Sequence, residues 1–156
     1  MFMRCFVLAF LIMFSVSSCQ VGDGSEAVVL AKAPLSIVSQ GKTHRFTVEV
    51  AQTPDQQQRG LMFRESLAPT AGMLFPLSPA REVSFWMKDT VIPLDIVFIR
   101  ADGSIARIAA NTIPYSGDRI SSGEPVAAVL ELAGGRAADL GIDEDDVVTW
   151  QKPGWL

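Results

Sequence analysis

From His44 to Ala51 the chain alternates, with Phe46, Val48 and Val50 on one side of an extended backbone and Arg45, Thr47 and Glu49 on the other. A period of two predicts a strand with one buried face. Leu35 to Val38 precedes it across Gln40-Gly41, so the two segments read as a hairpin. Short apolar runs between turn residues predict further strands at Gly72 to Phe75, Val83 to Met87, Leu94 to Arg100, Ile105 to Ala109, Val126 to Leu132 and Val147 to Gln151. Pro93 keeps the residue before it extended, and Asp102-Gly103 is a hairpin turn. Pro76 to Ala80 and Ser116 to Pro125 read as loops. One short helix has clear boundaries. Thr53 is placed to cap, Pro54 suits the first helical position, Gln56 completes a capping box and Gly60 stops it. Gly134 to Leu140 predicts a second. The fold class is α+β, mostly β: a compact barrel- or sandwich-like single domain with about seven strands and one or two short helices.

The opening pattern differs. Phe6 to Phe14 is unbroken apolar sequence behind Arg4. It is shorter than the roughly 20 residues that span a bilayer and suits the apolar core of an export signal. Val16-Ser17-Ser18-Cys19 follows and resembles the bacterial lipobox. That resemblance implies cleavage before Cys19 and a diacylglyceryl thioether on it. The expected organisation is a lipoprotein signal peptide over 1–18, a flexible tether over 19–33 and a β-rich domain over 34–152. Gln20 follows the cysteine, where an aspartate would resemble the inner-membrane retention signal. The expected location is therefore the bacterial envelope, lipid-anchored at the outer membrane and facing the periplasm. Two or more acyl chains hold stably where one holds marginally.

Losing Arg4 with the leader takes the formal charge from −4 to −5. A mildly acidic domain has no electrostatic footprint for nucleic acid and no polybasic patch for anionic lipid, so the membrane is expected as a partner only through Cys19. Of the two cysteines, Cys5 leaves with the signal and Cys19 carries lipid. The domain is left without a disulfide, a thiol nucleophile or a thiolate metal site. Its one histidine, His44, has no second ligand type spaced to help it and reads as a surface strand residue. Neither a metal nor a cofactor is expected. Asp143 to Asp146 lacks the alternation and glycine of a calcium loop and reads as a solvated turn.

Arg59-Gly60-Leu61-Met62, Gly72-Met73-Leu74-Phe75, Phe85-Trp86-Met87-Lys88, Thr90, Pro93-Leu94-Asp95-Ile96 and Val129-Leu130-Glu131-Leu132 occur in that order. Together they resemble the domain of unknown function 192 family, over about 45 to 150. Asp89 stands where that family usually has asparagine. The resemblance implies a small β-rich domain, often secreted or lipid-anchored in bacteria, and it implies no activity.

Two carboxyls stand out from the strand patterns. Asp95 opens a strand apolar on both faces, and Glu131 lies in a similar run. A lone buried carboxylate is costly, so each must be paired, protonated or near water. As function they form an acid/base pair with one raised pKa. As structure they bind loop amides or pair with Arg59 or Lys88. Arg59 ends the capped helix, where it complements the dipole or clamps an anion. Trp86, Lys88 and Thr90, beside Asp89, fit a pocket rim better than a core strand.

The expected function is a non-catalytic envelope lipoprotein that binds a small molecule, peptide or glycan near Arg59, Trp86, Lys88, Asp89, Thr90 and Asp95. One alternative is a hydrolase or transferase using Asp95 and Glu131. It ranks lower because no nucleophile with an evident base is present. The other alternative is a structural accessory of an envelope complex.

Overall fold

The computed structural model describes residues 29–151, so the leader, Cys19 and the first part of the tether lie outside the described residues. Nine strands and two helices follow one another among those residues. They are β1 (Ala31–Ser39), β2 (Lys42–Val50), α1 (Pro54–Arg59), β3 (Ala71–Arg81), β4 (Ser84–Phe85), β5 (Leu94–Ile99), β6 (Ile105–Ala109), β7 (Ile120–Ser121), β8 (Val126–Ala133), α2 (Arg136–Leu140) and β9 (Val147–Trp150). Seven form one sheet in the order β6-β5-β8-β3-β2-β1-β9, and β4 pairs with β7. All pairings in the large sheet are antiparallel except β2 with β3, which is parallel.

That sheet curls into a half-barrel. A bridge between Ser104 and Val147 draws its two edges together. The Val148 amide donates to the Gly103 carbonyl at 2.8 Å and the Ile105 amide to Asp146 at 2.8 Å. Joining the edges there leaves fewer unpaired backbone groups. Arg100 reinforces the seam, with ion pairs to Glu124 at 2.5 Å and Asp145 at 3.1 Å.

The strand alternation sorts side chains to the two faces. Inside the curl, Leu35, Val48, Leu74, Val97, Ile105, Leu130 and Val148 meet, one from each strand of the sheet. Ala137 and Ile142 join them from α2 and the turn after it. On the outer face of β3, β5 and β8, Met73, Phe75, Ile96, Phe98 and Val129 form a second cluster under Leu61, Met87, Leu67 and Phe85. Both faces of β5 are therefore covered, and all six of its positions are buried. Each fully buried Leu, Ile or Phe stabilises by roughly 1.5–3 kcal/mol. Gly72 permits the close approach of β3 to β8: a Cβ there would stand 2.7 Å from the Glu131 carbonyl oxygen.

Several expectations change. β1 starts at Ala31 and takes in residues read as tether. β3 does not stop at Phe75 but runs on to Arg81, through the stretch read as a loop. A register shift against β8 between Pro76 and Arg81 accommodates prolines, which donate no ladder bond. The expected strand over Val83 to Met87 shrinks to Ser84–Phe85, and its partner Ile120–Ser121 lies in the predicted polar loop. A two-residue pairing has no period to read. α1 matches its signals: the Gln56 amide donates to Thr53 Oγ1 at 3.2 Å, and Gln56 Oε1 accepts from the Thr53 amide at 3.1 Å.

Candidate functional site

α1, the end of β3 and β4 enclose a cleft of ≈ 320 Å³ on the outer face of the sheet. Its buried lining is Leu61, Phe75, Leu77, Thr90 and Glu131; its exposed lining is Gln58, Arg59, Arg81, Ser84 and Trp86. The floor is thus apolar with one carboxyl, and the rim is polar with two guanidinium groups. Local contacts set this shape. Gln57 donates to the Ala51 carbonyl at 3.1 Å and the Pro76 carbonyl at 3.2 Å, fastening α1 to the sheet. The turn after α1 is held by a two-pronged pair from Arg64 to Glu49, at 2.9 and 2.5 Å. The hydrogen bond from Arg64 holds the Glu49 carboxyl below its ordinary range. Phe85 stands edge-on to Phe75, with centroids 5.2 Å apart.

Glu131 lies between Met73 of β3 and Ile96 of β5, its neighbours across the ladder. It is 5% exposed. Among the described residues, its buried Oε2 has no hydrogen-bond partner. Burial alone pushes the carboxyl up to about 8. At neutral pH it is an uncharged acid, able to donate one hydrogen bond.

Asp95 does something else. It faces the interior of the curl beside Leu132, whereas Glu131 faces outward beside Ile96. The two carboxyls point to opposite sides of one sheet, so the acid/base pairing drawn from sequence does not exist. The strand parity that separates them is visible in the ladder and not in either strand alone. Asp95 is 0% exposed and is spent on backbone amides. Its Oδ1 accepts from Asn111 at 2.7 Å and Gly135 at 2.9 Å, and its Oδ2 accepts from Ala137 at 2.7 Å. Gly135 occupies the cap position of α2 and has no side chain to offer. Asp95 supplies that capping acceptor from the neighbouring strand. Gly134 is needed at this junction, because a Cβ would stand 2.8 Å from Asn111 Oδ1 and 2.8 Å from Pro93 Cβ.

The remaining sequence candidates divide. Arg59, Trp86 and Thr90 line the cleft. Lys88 does not; its Nζ stands 5.4 Å from the Trp86 ring centroid, and Arg119 stands 4.9 Å away. Asp89 is also outside the lining. Its backbone has φ 54°, and its carbonyl accepts from the Phe63 amide at 2.8 Å. Aspartate tolerates that left-handed geometry better than most residues. Sequence reading missed Arg81 and Arg119. Arg81 reaches the rim only because β3 continues past its prolines, and Arg119 lies in a loop without periodic signal. Elsewhere, His44 is half-buried on β2 opposite Ile37. Tyr115 is 65% exposed, with its amide donating to Thr90. Asp145 pairs with Arg100.

Comparisons agree with this fold and leave the cleft unassigned. The family model described as "Uncharacterized ACR" matches residues 36–150. A Sinorhizobium meliloti 1021 protein, described as a "putative transcription regulator", is 44% identical in sequence, with a TM-score of 0.77. The match covers 79% of this chain and 96% of that one. A protein of unknown function from Novosphingobium aromaticivorans DSM 12444 is 41% identical, with a TM-score of 0.77, over 80% of this chain and 89% of that one. No curated protein matches the chain. With the family match covering most of the chain and these structures sharing its fold, the chain belongs to the domain of unknown function 192 family.

Proposed function

We propose that this is a non-catalytic binding module, tethered to a bacterial membrane by lipid on Cys19, whose cleft takes a small anionic ligand with an apolar body. The carrying observation is the lining itself. Arg59 and Arg81 are its only cations, neither is ion-paired among the described residues, and they stand above a floor of Leu61, Phe75 and Leu77. In a domain of net negative charge, a locally cationic cleft favours anions. Planar guanidinium forks suit carboxylate or phosphate oxygens. Binding is favoured over acid/base catalysis because Glu131 has no second carboxyl across the cleft and the lining holds no histidine or cysteine.

The test uses 3-(4-isopropylphenyl)propionate and its uncharged primary amide, titrated into the full-length chain and followed by calorimetry. The acid is expected to bind at least about tenfold tighter than the amide, as charge-assisted hydrogen bonds outweigh neutral ones. An Arg59→Ala, Arg81→Ala double variant is expected to erase that difference. Equal binding of acid and amide, or a difference that survives in the double variant, contradicts the assignment.

The tether has its own test. Cells fed labelled palmitate are expected to label the protein, and Cys19→Ser is expected to remove the label. Labelling unchanged in the variant contradicts lipid attachment at Cys19.

One observation favours the structural-accessory reading. Phe63, Ile113 and Tyr115 are 63%, 73% and 65% exposed. Phe63 and Tyr115 adopt φ of 63° and 61°, which non-glycine residues hold only when surrounding contacts impose it.

A further inference from the structure

We infer that the cleft selects organic acids carrying an uncharged oxygen acceptor remote from the carboxylate, with Glu131 donating to that oxygen and Arg59 and Arg81 holding the carboxylate. This inference rests on the binding reading above and names its ligand class. Five lining residues are buried: Leu61, Phe75, Leu77, Thr90 and Glu131. The first three have no side-chain donor. The Thr90 hydroxyl is committed to the Lys88 carbonyl at 3.3 Å. Glu131 is therefore the donor left at the floor, with Oε2 unpartnered among the described residues and the residue 5% exposed.

The chemistry of a buried carboxyl narrows what it will accept. A hydrocarbon end would leave its O–H unsatisfied, at the cost of a desolvated polar group. A second carboxylate pressed against it would put two like groups where both cannot ionise. An ammonium would favour loss of its proton to solvent and leave two ions in an apolar floor, where desolvation offsets much of their attraction. A ketone, ester or amide carbonyl, or an ether oxygen, accepts the proton without creating charge. The charged groups facing the same space are Arg59, from the end of α1, and Arg81, from the end of β3. The flanking strands present Met73 and Ile96. The inner end of the ligand thus meets a neutral donor, and the outer end meets cations.

Three probes with one body separate these cases: 3-(4-acetylphenyl)propionate, its isopropyl isostere and its 1-aminoethyl analogue. They are titrated into the full-length chain at pH 6 and pH 9.5. At pH 6 the acetyl probe is expected to bind about three- to tenfold tighter than the isopropyl probe, the worth of one hydrogen bond. At pH 9.5, with Glu131 ionised, that advantage is expected to vanish. Glu131→Met is expected to lose it at both pH values. Glu131→Gln, whose amide donates without titrating, is expected to keep it at both. If acetyl and isopropyl probes bind equally, the role of Glu131 is overturned while the binding cleft stands. If the aminoethyl probe binds tightest, the floor accepts a cation and the inference is overturned. If none of the probes binds, the binding reading falls and the inference falls with it.

Discussion

Asp95→Ala is expected to lower the unfolding free energy by about 3–5 kcal/mol in urea titration, a large part of the roughly 5–15 kcal/mol that holds a domain together. The reason is the number of groups that depend on one carboxylate. Three backbone amides, of Asn111, Gly135 and Ala137, donate to it at 2.7 to 2.9 Å in a fully buried setting. Truncation leaves those donors without an acceptor, and each such loss costs about 1–3 kcal/mol. The damage spreads, because Ala137 and Ile142 pack in the interior core from α2 and the turn after it. Asp95→Asn retains one carbonyl for the Oδ1 pair but turns an NH2 toward the Ala137 amide, so it is also expected to destabilise, by about 1–3 kcal/mol. A loss below about 1 kcal/mol for both variants contradicts a fastening role. In either variant the cleft is expected to bind its probes as before, wherever the protein remains folded.

Asp95 and Glu131 show how far residue order carries and where it stops. Both were conspicuous as carboxyls in doubly apolar strands, and both are buried. That much follows from alternation within a strand. Their separation onto opposite faces depends on the register of β5 against β8, Ile96 opposite Glu131 and Asp95 opposite Leu132. Register comes from long-range packing. α1 was legible to the residue because its cap is local chemistry. Of the rim read at Trp86, Lys88 and Thr90, Trp86 is the exposed member of the lining, whereas Thr90 is buried in it and Lys88 is outside it. Arg81 was not legible, since prolines signalled a loop where the sheet absorbed them with a register shift. β4 and β7 were not, because pairs of two residues leave no pattern.

Stability is expected to fall as pH rises from 4.5 to about 8, and Glu131 is the cause. Its carboxyl is raised from 4.5 to about 8 by burial. Between those values the folded state holds a proton that the unfolded state releases. Unfolding is then favoured as pH rises, by up to about 1.4 kcal/mol per pH unit. The accumulated loss is a few kcal/mol, at most about 5, and it levels off above the folded pKa. Glu49 acts in the opposite sense at lower pH. Its hydrogen bond with Arg64 lowers its pKa, so its contribution is present above its unfolded pKa and is lost as pH falls through its folded one. The Glu131 contribution is thus fully present below pH 4.5 and declines through the neutral region. Glu131→Met fills a similar volume without a titrating group. It is expected to flatten the profile above pH 5 and to raise stability at pH 8 by about 1–4 kcal/mol. A wild-type profile flat from pH 5 to pH 8 contradicts this. So does a slope that persists in Glu131→Met.

The most direct measurement is the side-chain carboxyl 13C shift of Glu131 followed by NMR from pH 4 to pH 10, assigned by comparison with Glu131→Gln. A midpoint near 8 is expected, which makes Glu131 an uncharged hydrogen-bond donor at the cleft floor at neutral pH. A midpoint near 4.5, the ordinary value for the residue, would make it a solvated carboxylate and remove both the donor and the ligand class built on it.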